Sequence, residues 1–383
     1  MNTAGTASFF TIFSQNGHPA YTLLLYGSAM KSTVLPSLCL FAGLIWLASA
    51  AAPAKAQPIL SGAGATFPHP LYERWIHSYS QKAPVRVTYR GTGSADGIQD
   101  LLQRKIDFGA TDVSLSDREM QEAAAPILHL PTCVGAVAVI YNLEGDPDLR
   151  LTPDLLADIF LGRIPSWDHP RLRALNPSVD LPSLEIMVVH RAEGSGTNYI
   201  LSDYLSKVSP HWNRERGVGK TVAWNTGLGV RGNSGVASMV KKIPGAIGYV
   251  SLNYAVGNRL PVVRVKNAGN RFVKPTVESA TEAASVSMPA DWRRPITNTE
   301  APEGYPISGF TYLIFYQEQS YSGRTKEKAR ALASFLWWCV HEGQRECAPL
   351  HYAPLPETVS IQCRKILRSM TFAGSPLIPQ AEP

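Results

Sequence analysis

The chain has 383 residues, of which 45% are hydrophobic and 17% charged, and its formal net charge is +6. This composition is ordinary for a globular protein with two domains, and it excludes an intrinsically disordered chain and a polytopic membrane protein. The basic residues form small separate clusters without interleaved aromatic residues, which argues against nucleic acid as a partner.

The first 56 residues are typical of an export signal preceded by additional sequence. Lys31 precedes an uncharged apolar run, and Ala54-Lys55-Ala56 has the small-x-small pattern that signal peptidase recognises. We therefore expect residues 30–56 to be a signal peptide that is cleaved after Ala56, with translation beginning at Met30. Residues 1–29 are then a non-native upstream extension.

An uncleaved anchor helix is the alternative for the same segment. The run from Val34 to Ala52 is nearly long enough to span a bilayer, but Pro36 and the Ala-rich end disfavour a transmembrane helix. Cleavage is the preferred interpretation, and it predicts a periplasmic protein.

From Gln57 onward, strand-like and helix-like patterns alternate. The predicted elements, in chain order, are a strand at Ile59-Leu60, a helix from Pro70, a strand at Val85–Tyr89, a helix after Ser94, a strand at Phe108–Ala110, a helix near Asp117–Ala125, strands at Ile127–Leu130 and Val134–Tyr141, helices at Thr152–Leu161 and Pro170–Asn176, a strand at Ile186–His190, helices at Ser195–Lys207 and Gly235–Lys242, strands at Ile247–Val250 and Gly309–Tyr316, and a helix containing Leu332 to Cys339. This alternation predicts an α/β fold whose sheet is mostly parallel, with helices on both faces.

Two long apolar strands bracket the middle of the chain. Because Val134–Tyr141 leads away from the first unit and Gly309–Tyr316 follows the middle unit, we expect the chain to leave a first domain and later return to it. The predicted organisation is two lobes joined by a two-segment hinge. Lobe I contains residues 57–135 and 307–383, and lobe II contains residues 136–306.

Four cysteines follow the predicted cleavage site, namely Cys133, Cys339, Cys347 and Cys363. An even number in an exported protein permits disulfides, whose connectivity the sequence leaves open. Cys133 lies in an apolar run and is expected to be a buried thiol. Neither a CxxC pair nor a metal-like Cys/His spacing is present, so we expect no metal and no cofactor.

Four short segments rich in glycine and hydroxyl residues have the character of anion-binding loops. They are Gly62–Phe67, Gly91–Ser94, Asp107–Asp112 and Arg191–Thr197. Each follows or ends an apolar β-type run, and the second and fourth open a helix, so backbone N–H groups, hydroxyls and one guanidinium can converge on one oxyanion. Loops beyond the carboxyl ends of strands in an open α/β sheet meet in one crevice. The pattern therefore predicts a site for a small tetrahedral anion.

The segment around Ser195 is the strongest of the four. Ser195 and Thr197 can donate hydroxyl protons at a helix N-terminus, and Arg191 can donate a charge-assisted pair. The alternative is that Ser195 only caps the helix and Arg191 is a surface cation.

Asp112 is unexpected in an anion site because a carboxylate repels an anion. It is accounted for if the ligand carries a proton, as monohydrogen phosphate does and sulfate at neutral pH does not. The alternative is that Asp112 caps the next helix or pairs with a lysine.

The sequence gives little support for catalysis. Neither Ser94 nor Ser195 lies in a G-x-S-x-G nucleophile elbow, and Gly227–Gly232 is a lone match to G-x-G-x-x-G without a strand-turn-helix context. An exported phosphatase using either serine would lack a general base and a metal cluster, so we expect a binding protein and not an enzyme.

Several motifs resemble those of the periplasmic phosphate-binding proteins of high-affinity bacterial phosphate ABC transporters. These motifs are Gly62–Pro68, Asp107–Asp112, Leu161–Asp168, Arg191–Thr197, Gly232–Tyr249 and Pro306–Tyr312. The resemblance implies a two-lobed type II periplasmic-binding-protein fold, a Venus flytrap that holds one inorganic phosphate in the cleft between its lobes. It also implies delivery to an inner-membrane permease with two transmembrane subunits and a cytoplasmic ATPase, and a monomeric protein.

Carried over residue by residue, the resemblance implies eight phosphate contacts. They are Thr66, the backbone of Phe67, Ser94, Asp112, Arg191, Ser195, Gly196 and Thr197. Two positions depart from the family pattern: Glu193 stands where a shorter Asp is common, and Asp96 adds a charge near Ser94. The alternative ligand is another tetrahedral oxyanion such as sulfate, which Asp112 disfavours.

Overall fold

A computed structural model describes residues 57–287 and 293–379. The expected signal peptide, its cleavage site and the upstream residues 1–29 lie outside the described residues. Within the two described ranges, every helix is too short or too polar to cross a lipid bilayer.

Strands and helices alternate through most of the described chain. The strands are β1 (Ile59–Gly64), β2 (Arg86–Gly91), β3 (Phe108–Thr111), β4 (Ile127–Tyr141), β5 (Arg150–Leu151), β6 (Met187–Arg191), β7 (Leu228–Val230), β8 (Ala246–Ser251), β9 (Arg264–Lys266), β10 (Phe272–Val273), β11 (Ser308–Tyr316), β12 (Thr371–Phe372) and β13 (Ser375–Pro376). The helices are α1 (His69–Ser80), α2 (Ser94–Leu102), α3 (Asp117–Glu122), α4 (Pro153–Phe160), α5 (Pro170–Leu175), α6 (Gly196–Val208), α7 (Pro210–Glu215), α8 (Gly232–Lys242), α9 (Leu252–Gly257), α10 (Val277–Ala283), α11 (Lys326–Val340) and α12 (Glu357–Arg368), with 3₁₀ turns at Glu342–Glu346 and Ala348–Leu350.

The main sheet has the strand order β2-β1-β3-β11-β4-β8-β6-β7. At one end β1 pairs in parallel with β2 and β3, and at the other end β6 pairs in parallel with β7 and β8. The predicted α/β fold is confirmed, but the centre of the sheet is antiparallel, because β11 runs against both β3 and β4, and β4 runs against β8. The mostly parallel sheet predicted from the sequence is thus found only in its outer parts.

Strand β4 is continuous where the sequence predicts two strands separated by Pro131. Cys133 lies opposite Thr311, whereas Pro131 lies opposite Tyr312, so Thr132 is an extra residue in the ladder. Such a bulge tolerates proline, which cannot donate a ladder hydrogen bond. The apolar run therefore continues through Pro131 as one strand of 15 residues.

Strand β4 also exchanges its partner along its length. Its first part pairs with β11 as far as the Ala136–Ser308 pair, and its last part pairs with β8 from Val137 to Tyr141. Strand β11 is buried along its whole length, and β4 is buried at every residue except the half-buried Leu128. These two strands therefore form the centre of the sheet and connect its two ends.

All four described cysteines, Cys133, Cys339, Cys347 and Cys363, are free and buried. The disulfides that their even number permitted are not formed among them. Burial raises the pKa of each thiol above its usual value. The prediction that Cys133 is a buried thiol is confirmed.

Helix α2 packs on the sheet at the distance that only a glycine allows. A Cβ atom at Gly97 would lie 2.5 Å from the Cα of Gly64 and 2.7 Å from the carbonyl oxygen of Ala63. Because these are backbone atoms, they cannot move aside as the end of a side chain can. The close approach places Ser94, the first residue of α2, beside the carboxyl ends of β1 and β3.

We expect Gly97→Ala to lower the free energy of unfolding by about 3 kcal/mol, because the added methyl group overpacks a rigid backbone contact. Chemical denaturation of the purified protein measures this change. Gly257→Ala is a suitable control, since a Cβ at Gly257 would meet no atom within 4 Å. Equal stability of the two variants would contradict this description of the α2 contact.

Candidate functional site

The eight residues predicted to form the anion site are all buried and follow the carboxyl ends of four strands. Thr66 and Phe67 follow β1, Ser94 follows β2, Asp112 follows β3, Arg191 ends β6, and Ser195 to Thr197 open α6. Strand β6 runs opposite to β1, β2 and β3, because three antiparallel pairings separate it from them in the sheet. The carboxyl ends of the two sets therefore face each other, and the four predicted loops meet between them, as the contact of Ser94 with Gly196 shows.

The Ser94 loop and the start of α6 are in direct contact. Ser94 Oγ accepts hydrogen bonds from the backbone N–H of Gly196 at 3.1 Å and of Asp112 at 3.3 Å. A Cβ at Gly196 would lie 2.5 Å from Ser94 Oγ and 2.6 Å from Asp112 Oδ2. Gly196 is thus required by the close approach of two segments that are 102 residues apart in the chain.

Arg191 is a buried cation held by Glu193, which excludes the surface-cation alternative. Its side chain is 1% exposed. Nε donates to Glu193 Oε1 at 2.9 Å, Nη2 donates to the same oxygen, and Nη1 donates to Thr197 Oγ1 at 3.3 Å. A guanidinium has five N–H donors, so two remain available to a ligand.

Glu193 is itself held in its ionised form. Burial raises its pKa, but the hydrogen bonds and charge of Arg191, together with the Gly232 N–H at 3.0 Å, outweigh burial and bring the pKa of Glu193 below its usual value. The carboxylate neutralises Arg191 and links β6 to the N-terminus of α8.

Ser195 is the N-cap of α6. Its Oγ accepts the backbone N–H of Asn198 at 3.2 Å. Ser195 therefore does cap the helix, and the cap uses one lone pair of its hydroxyl. The O–H proton remains free to donate to a ligand.

Asp112 neither caps the next helix nor pairs with a lysine among the described residues. Helix α3 is capped by Ser116 through a capping box with Glu119. Asp112 Oδ1 accepts a hydrogen bond from Thr311 Oγ1 at 2.9 Å. Burial raises the pKa of Asp112 to about 7, although the Thr311 hydroxyl, the Arg191 charge and the Ser94 hydroxyl oppose this rise.

Three residues that the sequence did not single out complete the polar surroundings. Asn233 Nδ2 donates to Thr66 Oγ1 at 2.9 Å and to Thr197 Oγ1 at 3.2 Å. Tyr249 Oη accepts the N–H of Arg191 at 3.1 Å, and Tyr254 Oη donates to the carbonyl of Thr66 at 2.9 Å. The signal for Asn233 and Tyr249 was present, because both lie in the Gly232–Tyr249 motif quoted above.

Ion pairs lie at the edge of this region. Lys220 Nζ lies 2.5 Å from Glu119 Oε1, and both side chains line a cavity of about 740 Å³. Asp96, which departs from the family pattern, lies 3.5 Å from Arg231 on the surface. Its charge is therefore partly balanced by a neighbouring cation.

Comparison with known proteins gives consistent similarities. Residues 49–341 match the PBP superfamily domain. The chain is 38% identical over 304 residues to the phosphate-binding protein PstS of Xylella fastidiosa strain Temecula1, and the match covers 78% of this chain and 81% of that protein.

Solved structures share the periplasmic-binding-protein-like fold. A high-affinity periplasmic phosphate-binding protein bound with phosphate at pH 8.5 superposes with a TM-score of 0.66 at 23% identity, covering 80% of this chain and 93% of that one. An ABC-type phosphate transport receptor from Vibrio cholerae superposes with a TM-score of 0.51 at 21% identity, covering 78% and 100%. These two similarities establish the fold.

The pKa of Asp112 predicts a pH dependence of stability. Its folded pKa of about 7 lies above the unfolded value of 3.8, so folding takes up a proton between these values. The free energy of unfolding should therefore fall as the pH rises from about 4 to 7 and stay level above 7. Between pH 5 and pH 7.5, the free energy of unfolding of the wild type should fall by roughly 1–3 kcal/mol more than that of Asp112→Asn. Urea denaturation in anion-free buffer measures this, and parallel curves for the two proteins would contradict it.

Proposed function

Because the chain belongs to the family of PstS phosphate-binding proteins, we propose that it binds inorganic phosphate outside the cytoplasmic membrane and delivers it to an ABC permease for import. The observation that carries this proposal is the convergence of the eight buried residues where the loops after β1, β2 and β3 meet the segment after β6. The names of the relatives and the anion-binding chemistry of these residues support the same ligand.

The donors around the site match the requirements of a dehydrated anion. Burying phosphate is costly unless each oxygen receives hydrogen bonds. Arg191 retains two N–H donors, and the hydroxyls of Thr66, Ser195 and Thr197 each carry a proton. The Phe67 backbone N–H and the first turn of α6 add neutral donors that bring no competing charge.

Asp112 is the group that recognises the proton of the ligand. Its Oδ1 is occupied by Thr311, while Oδ2 lies on the side of Gly196. Above its pKa of about 7, the Asp112 carboxylate can accept a hydrogen bond from monohydrogen phosphate, whereas sulfate would meet it with lone pair against lone pair. Selectivity for phosphate therefore rests on a repulsive element as well as on the donors.

The proposed mechanism is closure of two lobes around the anion. Lobe I would consist of residues 57–135 and 307–383, and lobe II of residues 136–306, with the chain crossing between them near residues 133–136 and 305–308. The exchange of partners along β4 after Ala136 supports this boundary. Contacts between the lobes include Ala95 N–H to the Gly194 carbonyl at 3.1 Å and the Lys220–Glu119 ion pair.

We place the mature protein in the periplasm as a monomer that binds without turnover. Its partner would be an inner-membrane phosphate permease with two transmembrane subunits and a cytoplasmic ATPase. Incubation with a chromogenic phosphomonoester tests the absence of turnover. Hydrolysis that copurifies with the protein and disappears in Ser195→Ala would show an exported phosphatase instead.

Calorimetry of the mature protein against phosphate, sulfate and arsenate tests the proposed ligand, and Arg191→Ala tests the site. We expect Arg191→Ala to weaken phosphate binding by about 2–5 kcal/mol, because the anion loses a buried charge-assisted partner and Glu193 is left uncompensated. Arg324→Ala is a matched control, since Arg324 is similarly buried beside Asp107 at the opposite end of β3. It should lower stability without weakening phosphate binding. Near-wild-type affinity in Arg191→Ala would remove Arg191 from the site.

Asp112→Asn should reduce the preference for phosphate over sulfate by admitting sulfate. The amide can turn its N–H group toward a sulfate oxygen, which removes a repulsion worth several kcal/mol in a desolvated site. Competition titrations of the two anions measure the ratio. Asp203→Asn is the control, because Asp203 is also buried but pairs with Lys207. An unchanged ratio in Asp112→Asn would mean that discrimination arises elsewhere.

A further inference from the structure

Asn233 lies at the centre of a hydrogen-bond arrangement that the proposed anion contacts do not include. It is the second residue of α8, and its side chain is fully buried. Thr66 and Thr197, which both bond its amide, come from segments 131 residues apart in the chain, after β1 and at the start of α6.

The orientation of the Asn233 amide is fixed by a backbone donor. Asn233 Oδ1 accepts the N–H of Ser251 at 2.9 Å. A backbone N–H can only donate, so the oxygen must face Ser251 and the NH₂ group must face the two threonines.

Both threonine hydroxyls have their lone pairs filled by N–H groups. Thr66 Oγ1 accepts from Asn233 Nδ2 at 2.9 Å and from the Asn233 backbone N–H at 3.3 Å. Thr197 Oγ1 accepts from Asn233 Nδ2 at 3.2 Å and from Arg191 Nη1 at 3.3 Å. A hydroxyl has two acceptor lone pairs and one proton, so each of these groups is left only with its proton to donate.

We propose that Asn233 is a positioning residue that makes the hydroxyls of Thr66 and Thr197 obligate proton donors toward the bound anion. The inference rests on the proposed phosphate site. Without these N–H groups, each hydroxyl could rotate about its C–O bond and either donate or accept a hydrogen bond. The Thr197 O–H is oriented before the ligand arrives, because Asn233 and Arg191 belong to the same proposed lobe as Thr197. The Thr66 O–H is oriented by closure itself, so neither hydroxyl has to reorient around the bound anion.

Asn233 also makes this orientation depend on closure. Thr66 belongs to the proposed lobe I, whereas Thr197 and Asn233 belong to the proposed lobe II. Moving the lobes apart separates Asn233 from Thr66, so Thr66 becomes an obligate donor only in the closed form. Asn233 thus contributes to ligand binding without being one of the eight proposed anion contacts.

A double-mutant cycle between Thr66 and Asn233 tests the proposal by calorimetry with inorganic phosphate. We expect Asn233→Ala to raise the Kd at least about tenfold, because two oriented donors to an anion are released. When Asn233→Ala is combined with Thr66→Val, which has no hydroxyl to orient, the loss should be at least about threefold smaller than the product of the two single losses. In the Thr66→Ser background, which restores a hydroxyl, Asn233→Ala should again weaken phosphate binding as it does beside Thr66.

If Asn233 had a purely structural role, Asn233→Ala would raise the Kd for phosphate by the same factor whichever residue stands at position 66. That result would overturn the proposal. Affinity within about twofold of wild type in Asn233→Ala would also overturn it. Asn233→Ser replaces Asn233→Ala in the same cycle if the alanine variant does not fold. Failure of the wild type to bind phosphate would instead refute the proposed function.

Asn142→Asp serves as the control for perturbation of α8. Asn142 Nδ2 donates to the carbonyls of Lys241 and Ile243 at the other end of this helix. We expect its phosphate affinity to stay within about twofold of wild type, even if the variant is less stable. A loss as large as that of Asn233→Ala would show that any disturbance of α8 weakens binding, and the proposal would fall.

Discussion

The burial of one guanidinium organises the whole candidate site. Arg191 is almost completely removed from solvent, and a cation in such a place is tolerated only if it is paired and hydrogen-bonded. Glu193 supplies the pairing from two residues away, and the same carboxylate oxygen holds the first N–H of α8. Thr197 accepts a third guanidinium bond. Three elements, β6, α6 and α8, therefore meet at Arg191. Their contacts neutralise its charge and leave two of its N–H groups to donate to a ligand.

The length of the Glu193 side chain fits this arrangement. This side chain reaches both Nε and Nη2 of Arg191 and still accepts from Gly232. The pair is therefore also a link between segments, because Gly232 begins a helix whose second residue, Asn233, contacts Thr66. Charge neutralisation and the orientation of neutral donors are parts of one hydrogen-bonded network.

Periodicity and turn chemistry predicted most strands of the main sheet and most of the longer helices, because these depend on local residue patterns. The strands β5, β7, β9, β10, β12 and β13 were missed because two or three residues are too few to show an alternation, and helix α12 was also not predicted. The continuation of β4 through Pro131 could not be predicted, since it depends on a bulge against β11, which is 179 residues away at Thr311. Helix α7 was missed because Pro210 and the nearby Gly217 are typical of a loop, although Ser209 caps the helix. The eight proposed anion contacts were named from strand-end position and family resemblance, and they stay a prediction; the structure places them close together. The pairing of Asn233 with Thr66 could not be predicted, because it exists only when segments distant in the chain meet.

The Ala136–Ser308 pair marks the two ends of an insertion formed by the middle of the chain. The chain leaves the first part of the sheet at one residue of this pair and returns at the other, so an excursion of more than 170 residues begins and ends at adjacent ladder positions. Its two ends are separated by a single strand spacing, the same as in a β-hairpin. The entropic cost of bringing the two ends of such an insertion together grows only slowly with its length.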